Sequence, residues 1–311
     1  MKRTAFILFA FVFGGYMMAH AQQNTTAQDT TKPVGYQFTD IKRLPATSVK
    51  DQYRAGTCWS WSTSSFLESE MMRMGKDSVN LSAMYFVKHA YSDKADKYYK
   101  EKNFQEALKN YLIAANAGDD YAQNWVGWMY KNAEGVERNY MESYKWNMKS
   151  AESGNAYAMN SLGILFENGQ GVEVNLPKAV EWYRKAANAG NVHGQYNLGR
   201  MYENGRGVTK NIILAKQWYE KAAAQNNSDA QSSLGTIYYN GEGVTKDYAK
   251  AMEWYRKAAD QGNMYGEFNI GLLYEFGYGV TKNLDEAAKW YRRAANRGKE
   301  RAKTKLQELG R

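Results

Sequence analysis

Apolar residues along most of this chain fall in blocks with helical spacing. Over residues 157–190, Leu162, Leu165 and Phe166 mark one amphipathic stretch, and Ala179, Trp182, Tyr183, Ala186 and Ala187 mark a second. Between them Asn168, Gly169 and Gly171 break the pattern, since glycine tolerates the positive φ that ends helices. Pro177 stands where a second helix opens, a position at which its missing N–H does little harm. The stretch therefore predicts a helix pair, A then B.

The pair repeats. Gly135-Val136, Gly171-Val172, Gly207-Val208, Gly243-Val244 and Gly279-Val280 are each 36 residues from the next, as are Trp146, Trp182, Trp218, Trp254 and Trp290. Gly127, Gly163, Gly199, Gly235 and Gly271 keep the same step in the middle of the A helices, where they predict a neighbour too close for a side chain. A fixed period of this length means stacked units rather than one globular core. The expected fold is all-α, an α-solenoid of antiparallel helix pairs, with five copies over residues 119–298. Residues 98–118 keep the register of one helix and read as a half repeat, and residues 299–311 read as a polar capping helix.

The N-terminal third is different. Lys2 and Arg3, an apolar run from Thr4 to Met18, and Ala19-His20-Ala21 have the layout of an export signal over residues 1–21, which implies a periplasmic or secreted protein. Residues 22–43 are mostly polar, without a clear apolar period, and read as a flexible linker. Residues 44–97 carry aromatic and methionine residues at mixed spacings. Two helices are expected there, one from about Cys58 to Met74 and one capped by Ser82 and continuing towards Tyr99.

Composition narrows the chemistry. The chain has 311 residues, 44% of them hydrophobic, so material for a core is ample. Its net charge is +9, but Glu181, Glu220 and Glu253 are interleaved with the basic residues of the repeats, which favours a solvated helix face over a nucleic-acid surface. No later run is apolar enough to span a membrane. The single cysteine excludes an intrachain disulfide. Clustered metal ligands are absent from the sequence, and the G-x-G turns lack the preceding strand of a phosphate loop, so no metal or cofactor is expected.

Two resemblances follow from these residues. The pattern around Gly163, Gly169, Gly171-Val172, Trp182 and Ala186-Ala187 resembles the Sel-one-like repeat, a relative of the tetratricopeptide repeat. That resemblance implies an α-solenoid that binds or assembles other proteins. Gln52, Gly56-Thr57-Cys58-Trp59, Glu68, Leu81-Ser82, Met84-Tyr85 and Lys88-His89 resemble the start of the bleomycin hydrolase or aminopeptidase C branch of papain-like cysteine peptidases, over about residues 44–97. The resemblance implies Cys58 as nucleophile and Gln52 as an oxyanion-hole donor. A cysteine opening a helix would gain thiolate stability from the helix dipole. Such a nucleophile also needs an imidazole, usually oriented by an asparagine. His20 belongs to the leader, His89 to the motif stretch, and His193 to a variable repeat position, and the family's second lobe has no counterpart.

The sequence thus reads as an exported scaffold that binds proteins or peptides, with an inactive peptidase remnant. The alternative is a cysteine aminopeptidase completed by a partner chain, with the repeats as a recruiting arm. The repeat tryptophans read as buried pins between helices. Positions that vary between copies give the candidate binding face: Gln123, Asn124, Met159, Asn160, Gln195, Tyr196, Gln231, Ser232, Glu267 and Phe268.

Overall fold

A computed structural model describes residues 17–22, 37–43 and 81–310, with side chains from residue 87 onwards. It divides into two units, residues 1–86 and 87–311. In the first, strands β1 (Met17–Gln22) and β2 (Gln37–Arg43) pair antiparallel, with a register irregularity between Met18 and Ala19. They fall where the sequence pattern predicts the end of a leader and a linker. Phe38, Thr39 and Ile41 supply the aromatic and β-branched content that suits a strand. Gln52, Cys58 and the helix expected from Cys58 to Met74 lie outside the described residues.

Helix α1 runs Leu81–Lys100 without a break, so Ser82 lies inside it rather than capping it. The second unit continues with α2 (Phe104–Asn116), α3 (Asp120–Asn132), α4 (Tyr140–Glu152), α5 (Ala156–Asn168), α6 (Leu176–Asn188) and α7 (Val192–Asn204). It ends with α8 (Ile212–Ala224), α9 (Ser228–Asn240), α10 (Tyr248–Asp260), α11 (Met264–Phe276), α12 (Leu284–Asn296) and α13 (Glu300–Glu308). From α2 on, each helix packs on the next, and α5 also meets α7 while α9 meets α11, so A helices touch across a repeat. This is the expected solenoid.

Local chemistry sets its boundaries. Each B helix from α2 to α12 starts at an asparagine or aspartate, Asn103, Asn139, Asn175, Asn211, Asp247 or Asn283, whose side chain accepts an N–H of the first turn. The A helices α5, α7, α9 and α11 end on glycines at positive φ: Gly169, Gly205, Gly241 and Gly277. In the first copy Ala133 adopts that conformation at φ 62°, which strains a residue with a Cβ. The Gly171-Val172 turn, between A and B of one copy, packs on the preceding copy. A Cβ on Gly171 would stand 2.5 Å from the carbonyl carbon of Tyr140, at the start of the preceding B helix. Only glycine lets the turn lie on that backbone.

The pin between A and B is not the tryptophan. Tyr111, Tyr183, Tyr219, Tyr255 and Tyr291 are the large fully buried side chains of the B helices, while Trp182, Trp218, Trp254 and Trp290 are only partly buried. Successive B-helix residues are about 100° apart. The tyrosine therefore faces the A helix and the tryptophan beside it faces the edge, where a cation covers its ring. Lys149, Lys185, Lys221 and Lys257 sit 4.2, 4.2, 3.9 and 4.3 Å from the ring centres of Trp146, Trp182, Trp218 and Trp254, and Arg293 does the same for Trp290.

The expected half repeat is a complete pair. Tyr111 of α2 donates its hydroxyl proton to Asp96 of α1, and Ala95, Tyr91 and Tyr98 of α1 join the same core cluster as Leu108 and Tyr111. The C-terminal part of α1 therefore acts as an A helix, joined to α2 through a turn that includes Lys102 at positive φ. A peptidase-like helical pattern concealed that role.

Candidate functional site

The ten variable A-helix residues are mostly structural. Gln123, Gln195 and Gln231 are buried, and each donates its side-chain amide to a carbonyl near the end of the preceding B helix, Ala115, Ala187 or Ala223. Gln195 and Gln231 also accept from Gln225 and Gln261 at 2.9 and 2.7 Å. At the fifth copy the same pair is charged. Glu267 is fully buried and meets Arg293 at 3.0 Å and Arg297 at 3.2 Å. Asn160 accepts from Asn197, and Asn124 donates to Asn147. Tyr196 and Phe268 pack against the pins Tyr219 and Tyr291, and Ser232 is buried. Of the ten, Met159 is a half-buried core neighbour. The proposed face is therefore corrected: each A helix contacts a B helix on both sides, so these positions lie between elements.

The exposed variable row begins two positions earlier. Tyr121, Tyr157, His193, Asp229 and Tyr265 occupy the second residue of α3, α5, α7, α9 and α11. The three tyrosines are 43%, 62% and 45% exposed, although Lys299 stands over the Tyr265 ring and Tyr121 bonds Asp96. Side chains of this kind offer flat apolar area with a hydroxyl at its rim, at low entropic cost. In the sequence the His193 position stands out only as variable; exposure is what singles the row out.

A second variable feature is a node at the end of each A helix. Glu167 accepts from the pin Tyr183 at 2.7 Å and pairs with Arg200 and Arg206 of the next repeat at 2.6 and 2.5 Å. Glu203 accepts from Tyr219, and Glu275 from Tyr291 and from Lys305. The fourth copy has Tyr239 instead, and its neighbours are the stacked pair Tyr248 and Tyr278, 4.8 Å apart. There the pin Tyr255 turns its hydroxyl to Thr236. Burial, with the adjacent carboxylates, pushes the tyrosine pKa values upward at Tyr111, Tyr183, Tyr219 and Tyr291, and burial, with a smaller contribution from Tyr239, does so at Tyr255. These hydroxyls are structural donors, not acids.

No peptidase centre is assembled by the described residues. His89 and His193 are exposed on α1 and α7, and no group of three or more His, Cys, Asp or Glu residues among the described residues could hold a metal. No described helix is long and apolar enough to cross a membrane.

Comparison with known proteins agrees with the helix pairs. The Sel1 repeat family matches residues 156–191, 192–227, 228–263 and 265–299. The first copy, with Ala133 and Asn147 in place of the loop glycine and the tyrosine pin, is not among the matched segments. The papain family of cysteine proteases matches residues 36–161. Over residues 104–161 that match falls on α2 to α5, whose packing is that of the repeats. No curated protein matched. A Sel1 repeat protein from Oxalobacter formigenes is 29% identical, with a TM-score of 0.67 over 70% of this chain and 89% of that one. A protective antigen of uropathogenic Escherichia coli strains with an SLR fold is 32% identical, with a TM-score of 0.64 over 83% of this chain and 57% of that one. Residues 156–299 of this chain are a Sel1 repeat array.

Proposed function

We propose that the protein is an exported scaffold whose repeat array binds proteins or peptides, and that its papain-like segment does not cut them. The observation behind this reading is the row Tyr121, Tyr157, His193, Asp229 and Tyr265. It varies and is exposed on an otherwise repeated frame, as a recognition surface requires. Export rests on the leader-like residues 1–21, and loss of that segment would be read directly by sequencing the N-terminus of protein recovered from cells. For the binding surface, replacing Tyr121, Tyr157 and Tyr265 together by serine should weaken any co-purified partner at least tenfold while helical content is kept. Unchanged partner binding would reject the row.

A peptidase remains the second reading because the papain family matches residues 36–161. In that reading the chain resembles the bleomycin hydrolase branch, with Cys58 as nucleophile, Gln52 as oxyanion donor and the histidine supplied by a partner chain. A thiol-directed peptidase probe separates the two. It labels Cys58 only if that thiol is activated.

A further inference from the structure

The first node inverts the charge of the nodes at Glu167, Glu203 and Glu275. Thirty-six residues before Glu167, Arg200, Arg206 and Tyr183 stand Lys131, Ile164, Gln170 and Asn147. Glu167 is neutralised by Arg200 and Arg206, whereas Lys131 forms no ion pair with any described residue. Burial pushes the Lys131 amine down, with no acidic neighbour offsetting it. Asn147 is occupied elsewhere, donating to Ser143 and accepting from Asn124. Gln170 Oε1 is buried and has no hydrogen-bond partner. Gln170, at the register position of Arg206, brings no charge to the node. Beside the amine stands Trp128, 44% exposed, with its ring centre 5.9 Å from Lys131 Nζ. Trp128 lies two turns along α3 from the exposed Tyr121, on the same helix face.

A half-buried cation without a counter-ion is unfavourable unless an anion completes it. We propose that the node at Lys131 binds an acidic peptide segment: its side-chain carboxylate meets the Lys131 ammonium, and an adjacent apolar side chain lies on Trp128. This deepens the peptide-binding reading and rests on it. The node supplies an anchor of stated charge at the N-terminal end of the array.

The test uses the full-length chain and two matched synthetic octapeptide libraries, amidated at the C-terminus. One carries a single Asp or Glu flanked by apolar residues, and the other carries Asn or Gln at that place. Retention is read by mass spectrometry after equilibrium dialysis. The acidic library should be retained about tenfold better than its amide twin, as a charge-assisted hydrogen bond implies. The preference should fade with added salt. Lys131→Gln should erase it, and Lys131→Arg should keep most of it, each with helical content unchanged. Trp128→Ala should weaken both libraries alike. Equal retention of the two libraries, or a preference that survives Lys131→Gln, would overturn the proposal and leave the wider peptide-binding reading standing. If neither library is retained, both fail.

Discussion

The ring of Tyr183 lies on Gly163 so closely that a Cβ there would come within 2.5 Å of the tyrosine Cδ1. The same contact recurs at Gly199 with Tyr219, Gly235 with Tyr255 and Gly271 with Tyr291. Gly163→Ala sets two effects against each other. Alanine gains up to about 1 kcal/mol as a helix former, while overpacking costs about 1–3 kcal/mol. The ring is held by its bond to Glu167 and cannot retreat, so steric strain should win. Urea unfolding should show a loss of about 1–2 kcal/mol for Gly163→Ala, and no loss would contradict the close fit.

Two neighbouring aromatic residues should answer differently to truncation. Tyr219 is fully buried and donates to Glu203 at 2.7 Å, whereas Trp218 is partly exposed under Lys221. Tyr219→Ala should cost about 3–5 kcal/mol. Tyr219→Phe keeps the ring and should cost about 1–2 kcal/mol, the share of the lost donor. Trp218→Ala should cost less than Tyr219→Ala, and melting of the three variants orders them. A larger loss at Trp218 would restore the tryptophan as the pin.

Those two residues also mark how far the sequence could be read. Period, helix pairs and mid-helix glycines were legible because each needs a residue type at a fixed step: a turn glycine, a contact glycine, an apolar stripe. Which of Trp218 and Tyr219 faces inward was not, since both recur in most copies and one position turns the side chain by only a quarter circle. Gln195 and Glu267 were misread for a related reason. Variation looks the same whether it reflects a partner or a repeat neighbour, and only the contacts to Ala187 and to Arg293 and Arg297 separate the two. The helical run containing Ser92 and Asp96 looked like peptidase sequence, so its bonds to Asp119 and Tyr111 could not be foreseen.

The charged pair of the fifth copy should be exchangeable for its neutral form. Glu267→Ala leaves Arg293 and Arg297 without their carboxylate, but both are half exposed and can rehydrate. A loss of about 1–3 kcal/mol is expected, below that for a fully buried pair. The double substitution Glu267→Gln with Arg297→Gln reproduces the Gln231 and Gln261 pair of the fourth copy. It should recover stability to within about 1 kcal/mol of the parent in chemical unfolding. A double variant no better than Glu267→Ala would refute the equivalence.

Alkali should unfold the array cooperatively. The pKa values of Tyr111, Tyr183, Tyr219, Tyr255 and Tyr291 are all raised above 10.0, with burial the largest cause. Above pH 10.0 an unfolded chain has lost these protons while the folded chain still holds them, so stability falls as pH rises. Below pH 10.0 this contribution is fully present and flat. The last fraction of phenolate absorbance, that of these buried tyrosines, should therefore appear together with the loss of helical ellipticity. Phenolate appearing at these residues with the helices intact would contradict their burial.

The account rests on an array that holds peptides without cleaving them. Its most direct measurement is mass spectrometry of the octapeptide libraries after incubation with the full-length chain under reducing conditions. The prediction is that peptides are retained and recovered intact. Cleavage products that vanish in Cys58→Ala would contradict it and establish a working peptidase.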